Sequence, residues 1–118
     1  MKKIRIALAQ INPTVGAFSE NQKIIVREIE KAHAIGADII VFPELAVCGY
    51  PPEDLLFKSY FISDNETSLR ALIPATGGIT AIVGFVDSDN EGRRYNSAAI
   101  LNNGTLKEFY HKVKLPNY

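Results

Sequence analysis

Three short segments of this chain carry side chains able to do acid–base or nucleophilic chemistry. In Val41-Phe42-Pro43-Glu44-Leu45 a lone carboxylate follows an apolar run. Just past the C-terminal end of a buried strand, it stands where open α/β sheets usually bind ligands. Apolar flanks desolvate a carboxylate, favour its neutral form and raise its pKa towards the range useful to a general base. Position alone still favours a solvated loop glutamate. In Tyr110-His111-Lys112-Val113-Lys114-Leu115-Pro116 an extended backbone sets Lys112 and Lys114 on one face and His111 and Val113 on the other. A lysine in a closed site could stabilise a developing oxyanion, but lysines that keep a solvated edge strand from aggregating are commoner. Cys48 is the single thiol, four residues from Glu44. Between Val47 and Gly49 it reads as a small buried apolar residue rather than a nucleophile. The stretch Gly49-Tyr50-Pro51-Pro52-Glu53-Asp54 suits a pocket wall or a surface turn. His33 and His111 have no recognisable metal partner, and no phosphate-cradling loop is present.

The elements that must position these residues alternate between strand and helix. Ile4 to Gln10 alternates large and small side chains, which predicts a buried strand; Pro13 and Gly16 break it. A helix is expected from near Ser19, capped by that hydroxyl with Gln22 completing a capping box. Ile25, Ile29 and Ala32 then form one apolar face, and Gly36 stops the helix. Asp38 to Phe42 is a β-branched run expected of a strand covered on both faces and parallel to the first. Short helices are expected over residues 53–57 and 64–72. Strands follow over 79–86 and 95–101, with Asn103-Gly104 as a hairpin turn into a partner strand over 106–110. The class is α/β with a mixed sheet, helices early and hairpins late.

Composition narrows the function classes. The chain has 118 residues, 47% of them hydrophobic, with 13 basic and 13 acidic residues and a net charge of zero. Balanced charge removes the electrostatic argument for a nucleic-acid or anionic-membrane partner. A single cysteine forms no internal disulfide, which fits a reducing, cytoplasmic setting. No signal peptide or long apolar span is evident.

Taken in order, Ala7 to Gly16, Val41 to Leu45 and Tyr110 to Pro116 resemble the nitrilase (carbon–nitrogen hydrolase) superfamily. The stretch from Pro43 to Leu56 and the closing Lys114-Leu115-Pro116-Asn117-Tyr118 are similar to the glutaminase domain of the glutamine-dependent NAD synthetases. Ala17 departs from the acidic residue common there. The resemblance implies an α-β-β-α sandwich, of which residues 1–118 would be the N-terminal front portion, and a Glu-Lys-Cys triad. It matches Glu44 to the general base and Lys112, not Lys114, to the lysine that stabilises the tetrahedral intermediate. Tyr118 matches a glutamine-binding tyrosine, with Tyr50 lining the same pocket. The family nucleophile lies downstream of Tyr118, so Cys48 does not match it and the fragment alone is expected to be inactive. In the family, ammonia from L-glutamine passes to a synthetase domain that uses ATP and magnesium to convert deamido-NAD to NAD. An apolar sheet face left uncovered also predicts homo-oligomeric association. Two other readings stay open: another nitrilase-family amidase, and a non-catalytic α/β module for binding or assembly.

Overall fold

A computed structural model describes residues 2–112. Five strands form one mixed sheet in the order β1-β2-β3-β4-β5, namely Ile6–Leu8, Ile39–Val41, Thr80–Ser88, Arg94–Asn102 and Thr105–His111. The first three run parallel, with Ile6 beside Ile39 and Ile39 beside Thr80, and the last three are antiparallel. Two helices, α1 (Phe18–Ala34) and α2 (Ser59–Leu72), connect the parallel strands. Their apolar stripes (Ile25, Ile29 and Ala32; Leu69 and Leu72) pack with Ile40, Ala81, Val83, Phe85, Ala99 and Leu101 of the sheet in one core. A helix stripe of this spacing is stable only when such a face covers it. Among the described residues no helix is long and apolar enough to cross a membrane.

The termini of α1 separate local from tertiary causes. At its C-terminus the Gly36 and Ala37 amides donate to the carbonyls of His33 and Ala32, the paired closure expected of a glycine stop. At its N-terminus the expected Ser19 cap is absent: the cap position is Ala17, with no side-chain hydrogen bond. Asn21 ties this corner together instead. Its buried amide accepts from the Thr14 N–H at 2.9 Å and donates to the carbonyls of Thr14 and Val47. Helix α2 starts five residues before the expected position 64, because the 3-10 turn at Glu53–Phe57 leads through Lys58 directly into it. At Asn103-Gly104 both residues take positive φ, 50° and 81°, as the two-residue hairpin requires.

Two burial expectations need correction. In β1 the small residues face the helices, while Ile6 and Leu8 are 57% and 75% exposed. In β2 only Ile40 is fully buried, with Ile39 and Val41 half-buried. Both strands are covered on the helix side, and their opposite face is exposed in β1 and half-buried in β2.

Beyond Val41, strand β3 outruns its parallel neighbour, leaving its polar edge to be satisfied by other groups. The Val47 amide donates to the Gly84 carbonyl, and the buried Asn65 side chain bonds both main-chain groups of Val86. Asn65→Leu leaves a buried N–H and C=O of Val86 without partners. We expect it to cost roughly 2–6 kcal/mol, since each orphaned group costs about 1–3 kcal/mol, read as a lower urea midpoint.

Candidate functional site

Glu44 enters the site because Pro43 ends β2 and the chain turns back over β3. The turn is tightly built. Leu45 is buried in the left-handed region at φ 51°, a conformation that costs a leucine on the order of 1–3 kcal/mol and persists only where its surroundings enforce it. The Gly49 amide donates to the Leu45 carbonyl at 2.8 Å, and Leu45, Cys48, Phe61, Ile62 and Val86 form a second apolar cluster beneath the loop. Gly84 in β3 allows the close approach. A β-carbon there would stand 2.4 Å from the Leu45 nitrogen and 2.7 Å from the Pro43 oxygen. Three consecutive residues around Glu44 thus rest on a strand position that only glycine can occupy.

Lys112 arrives from the other end of the chain. It is the first residue after β5, and its amide donates to the Asn96 carbonyl of β4 at 2.8 Å. Beside it His111 is engaged elsewhere, 2.7 Å from Asp87 Oδ2 and stacked on Tyr95 with ring centroids 4.0 Å apart. The Lys112 ammonium then donates to Glu44 Oε1 at 2.8 Å, across 68 residues of sequence. A cleft of about 360 Å³ lies over this pair, lined also by Phe42, Pro43, Gly84, Asn96, Ser97 and Tyr110. The two side chains are 41% and 46% exposed, so the pair is open to solvent and to a ligand.

The electrostatics reverse the expectation for Glu44. The hydrogen bond from Lys112 is the largest influence and holds the carboxyl below its ordinary pKa. Partial burial works in the raising direction but is outweighed, with the Asn96 side chain and the lysine charge lowering the pKa further. The apolar flanks do not keep the carboxylate neutral, because Leu45 turns inward while Glu44 turns to the lysine. As it stands, the site holds an ionised carboxylate and an ammonium side by side: a proton acceptor next to a fixed positive charge.

The other candidates divide. Cys48 is fully buried, and desolvation pushes its thiol up to about 12. Its Sγ lies 3.3 Å from the Gly49 carbonyl, and it is not among the residues that line the cleft. We expect Cys48 to resist iodoacetamide at pH 8 in the folded protein and to react once denatured, as peptide mass spectrometry would map. The pH at which its thiolate forms lies far above the assay. Tyr50 is 48% exposed beside the cis Tyr50–Pro51 bond and is not in the described lining of the cleft. Tyr118 and Lys114 lie outside the described residues. Neither Asn96 nor Gly84 is marked by a local sequence motif. The run Tyr95-Asn96-Ser97 opens a strand that also carries Arg94 and Asn102, so Asn96 does not stand out by polarity.

Residues 5–118 match the carbon-nitrogen hydrolase family. A glutamine-dependent NAD(+) synthetase of Thermotoga maritima is 42% identical over 120 residues, covering the whole of this chain and 20% of that protein. The structure of a glutamine-dependent NAD+ synthetase from Acinetobacter baumannii, in complex with ADP, superposes with a TM-score of 0.90 at 36% identity. It covers 98% of this chain and 22% of that one. An amidase from Nesterenkonia sp. reaches a TM-score of 0.84 at 22% identity over 98% of this chain and 44% of its own, a likeness of fold alone. The chain spans about a fifth of the length of the curated relatives it matches.

Proposed function

Since the chain belongs to the carbon–nitrogen hydrolase family, we propose that residues 1–118 are the front portion of a glutaminase domain in which Glu44 and Lys112 act on the side-chain amide of L-glutamine. The observation that carries the reading is the 2.8 Å Lys112–Glu44 contact at the floor of an open cleft. Similarity to glutamine-dependent NAD synthetases supports the choice of glutamine.

In the proposed reaction Glu44 takes the proton from an attacking thiol, which adds to the amide carbon. Lys112 stabilises the resulting oxyanion, and Glu44 returns the proton to the departing ammonia. Water then attacks the thioester, again with Glu44 as base, to give glutamate and free the thiol. The thiol is not Cys48, whose burial and raised pKa deny it this role; we place it outside residues 1–118. Lysine serves two partners in turn. While it holds Glu44 it keeps the carboxylate ionised, and as it turns to the oxyanion the carboxylate loses that stabilisation and becomes a stronger base. Tyr50 and Tyr118 are assigned to glutamine binding. The ammonia is destined for ATP- and magnesium-dependent conversion of deamido-NAD to NAD by the rest of such an enzyme.

The test compares ammonia release by the full-length gene product from L-glutamine, L-asparagine and butyramide. Preference for glutamine supports the reading. Preference for butyramide would make the protein an aliphatic amidase, and no release from any of them would favour a non-catalytic module.

A further inference from the structure

Asn96 touches both members of the pair, yet the reaction above gives it no part. It lies in β4 opposite Val86 and lines the same cleft as Glu44. Its main-chain carbonyl accepts the Lys112 amide at 2.8 Å, which fixes where the lysine leaves β5. Its side-chain nitrogen Nδ2 is buried and has no hydrogen-bond partner among the described residues. Buried amide donors are nearly always paired, so an unpaired one that lines the same cleft as a carboxylate has an evident acceptor in it. Lys112 occupies Oε1 of Glu44. A carboxylate has lone pairs for about four donors, so its other oxygen has capacity left. The Asn96 side chain already lowers the Glu44 pKa from where it stands, without a fully formed hydrogen bond.

We propose that Asn96 is the positioning residue of the site: its carbonyl anchors Lys112, and its Nδ2–H closes onto the second oxygen of Glu44 when the site is engaged. The carboxylate is then held at both oxygens and cannot swing away when the lysine turns to substrate. This rests on the glutaminase reading for its catalytic consequence, but not for its geometry.

Asn96→Ser in the full-length gene product replaces the amide donor with a shorter hydroxyl and keeps the backbone anchor. The expected result is a kcat for glutamine lower by about tenfold or more with KM within about twofold, the pattern of lost orientation rather than lost binding. Asn96→Asp, of the same shape but without the donor, is expected to lose at least as much. A crystal structure of the Ser variant is expected to show the Glu44 carboxylate rotated from its wild-type position. An unchanged carboxylate or an unchanged kcat overturns the proposal. Wild-type protein that releases no ammonia defeats the glutaminase reading, and the carboxylate comparison then still decides the positioning claim. If neither variant folds, a high-resolution structure of wild-type protein with glutamine bound decides: Nδ2 within hydrogen-bond distance of Glu44 upholds the claim, and a longer separation overturns it.

Discussion

Glu44→Gln is expected to lower glutamine hydrolysis by the full-length gene product on the order of 10²–10⁴-fold, the usual worth of a positioned general base. The amide keeps the shape and can still meet a neighbour, but it cannot accept the proton. Stability should barely change. Glu44 and Lys112 are each about half exposed, and an ion pair in that setting is worth about 0–1 kcal/mol. The separation of the two effects is the informative part: activity collapses while the urea midpoint stays. Lys112→Met supplies the pH signature. The Lys112 hydrogen bond is the largest cause of the lowered Glu44 pKa, so its removal lets that pKa rise. The carboxylate is lost as base when pH falls through its folded pKa, so the acid limb of kcat/KM should move to higher pH in the variant. Any stability contributed by the depressed pKa is present above the unfolded value and fades in the same acid window, and it is small because the group is exposed.

Gly84→Ala is expected to damage fold and activity together. The added β-carbon meets main-chain atoms of Pro43 and Leu45 at 2.7 and 2.4 Å, with the Glu44 carbonyl carbon at 3.0 Å. No side-chain rotation relieves contacts with backbone, so the loop must lift from β3. Overpacking of this kind costs roughly 1–3 kcal/mol, and the lift also breaks the Val47–Gly84 hydrogen bond of 3.1 Å. Glu44 is carried away from Lys112 by the same movement, and a displacement near 1 Å can cost about 10² in rate. A lower urea midpoint with a loss of hydrolysis is the expected pair of results. A Gly84→Ala protein with wild-type activity would mean that the loop does not hold the carboxylate in place.

What could be read from the chain alone depended on whether the cause was local. Asn103-Gly104 states its turn in two residues, and Ile25, Ile29 and Ala32 state their helix face by spacing. Ser19 had the right chemistry for a cap, but Asn21, fixed by Thr14 and the distant Val47, shaped that corner instead. The burial of β1 is not legible in its sequence, because alternation shows that two faces differ, not that both are covered. The Glu44 environment is hidden from its local sequence for a related reason. Its sequence neighbours are apolar, while the group that sets its ionisation lies 68 residues away. Gly84 and Asn65 matter through contacts across the fold, which no window around either residue reveals.

The claim at the centre is that Glu44 and Lys112 work as one unit on the amide of glutamine. The direct measurement is ammonia release from L-glutamine by full-length wild type, Glu44→Gln, Lys112→Met and the double variant. Groups that act as a unit show grossly non-additive losses. We therefore expect each single variant to lose nearly all activity and the double variant to lose little more. Losses that multiply, or a single variant that keeps wild-type turnover, would contradict it.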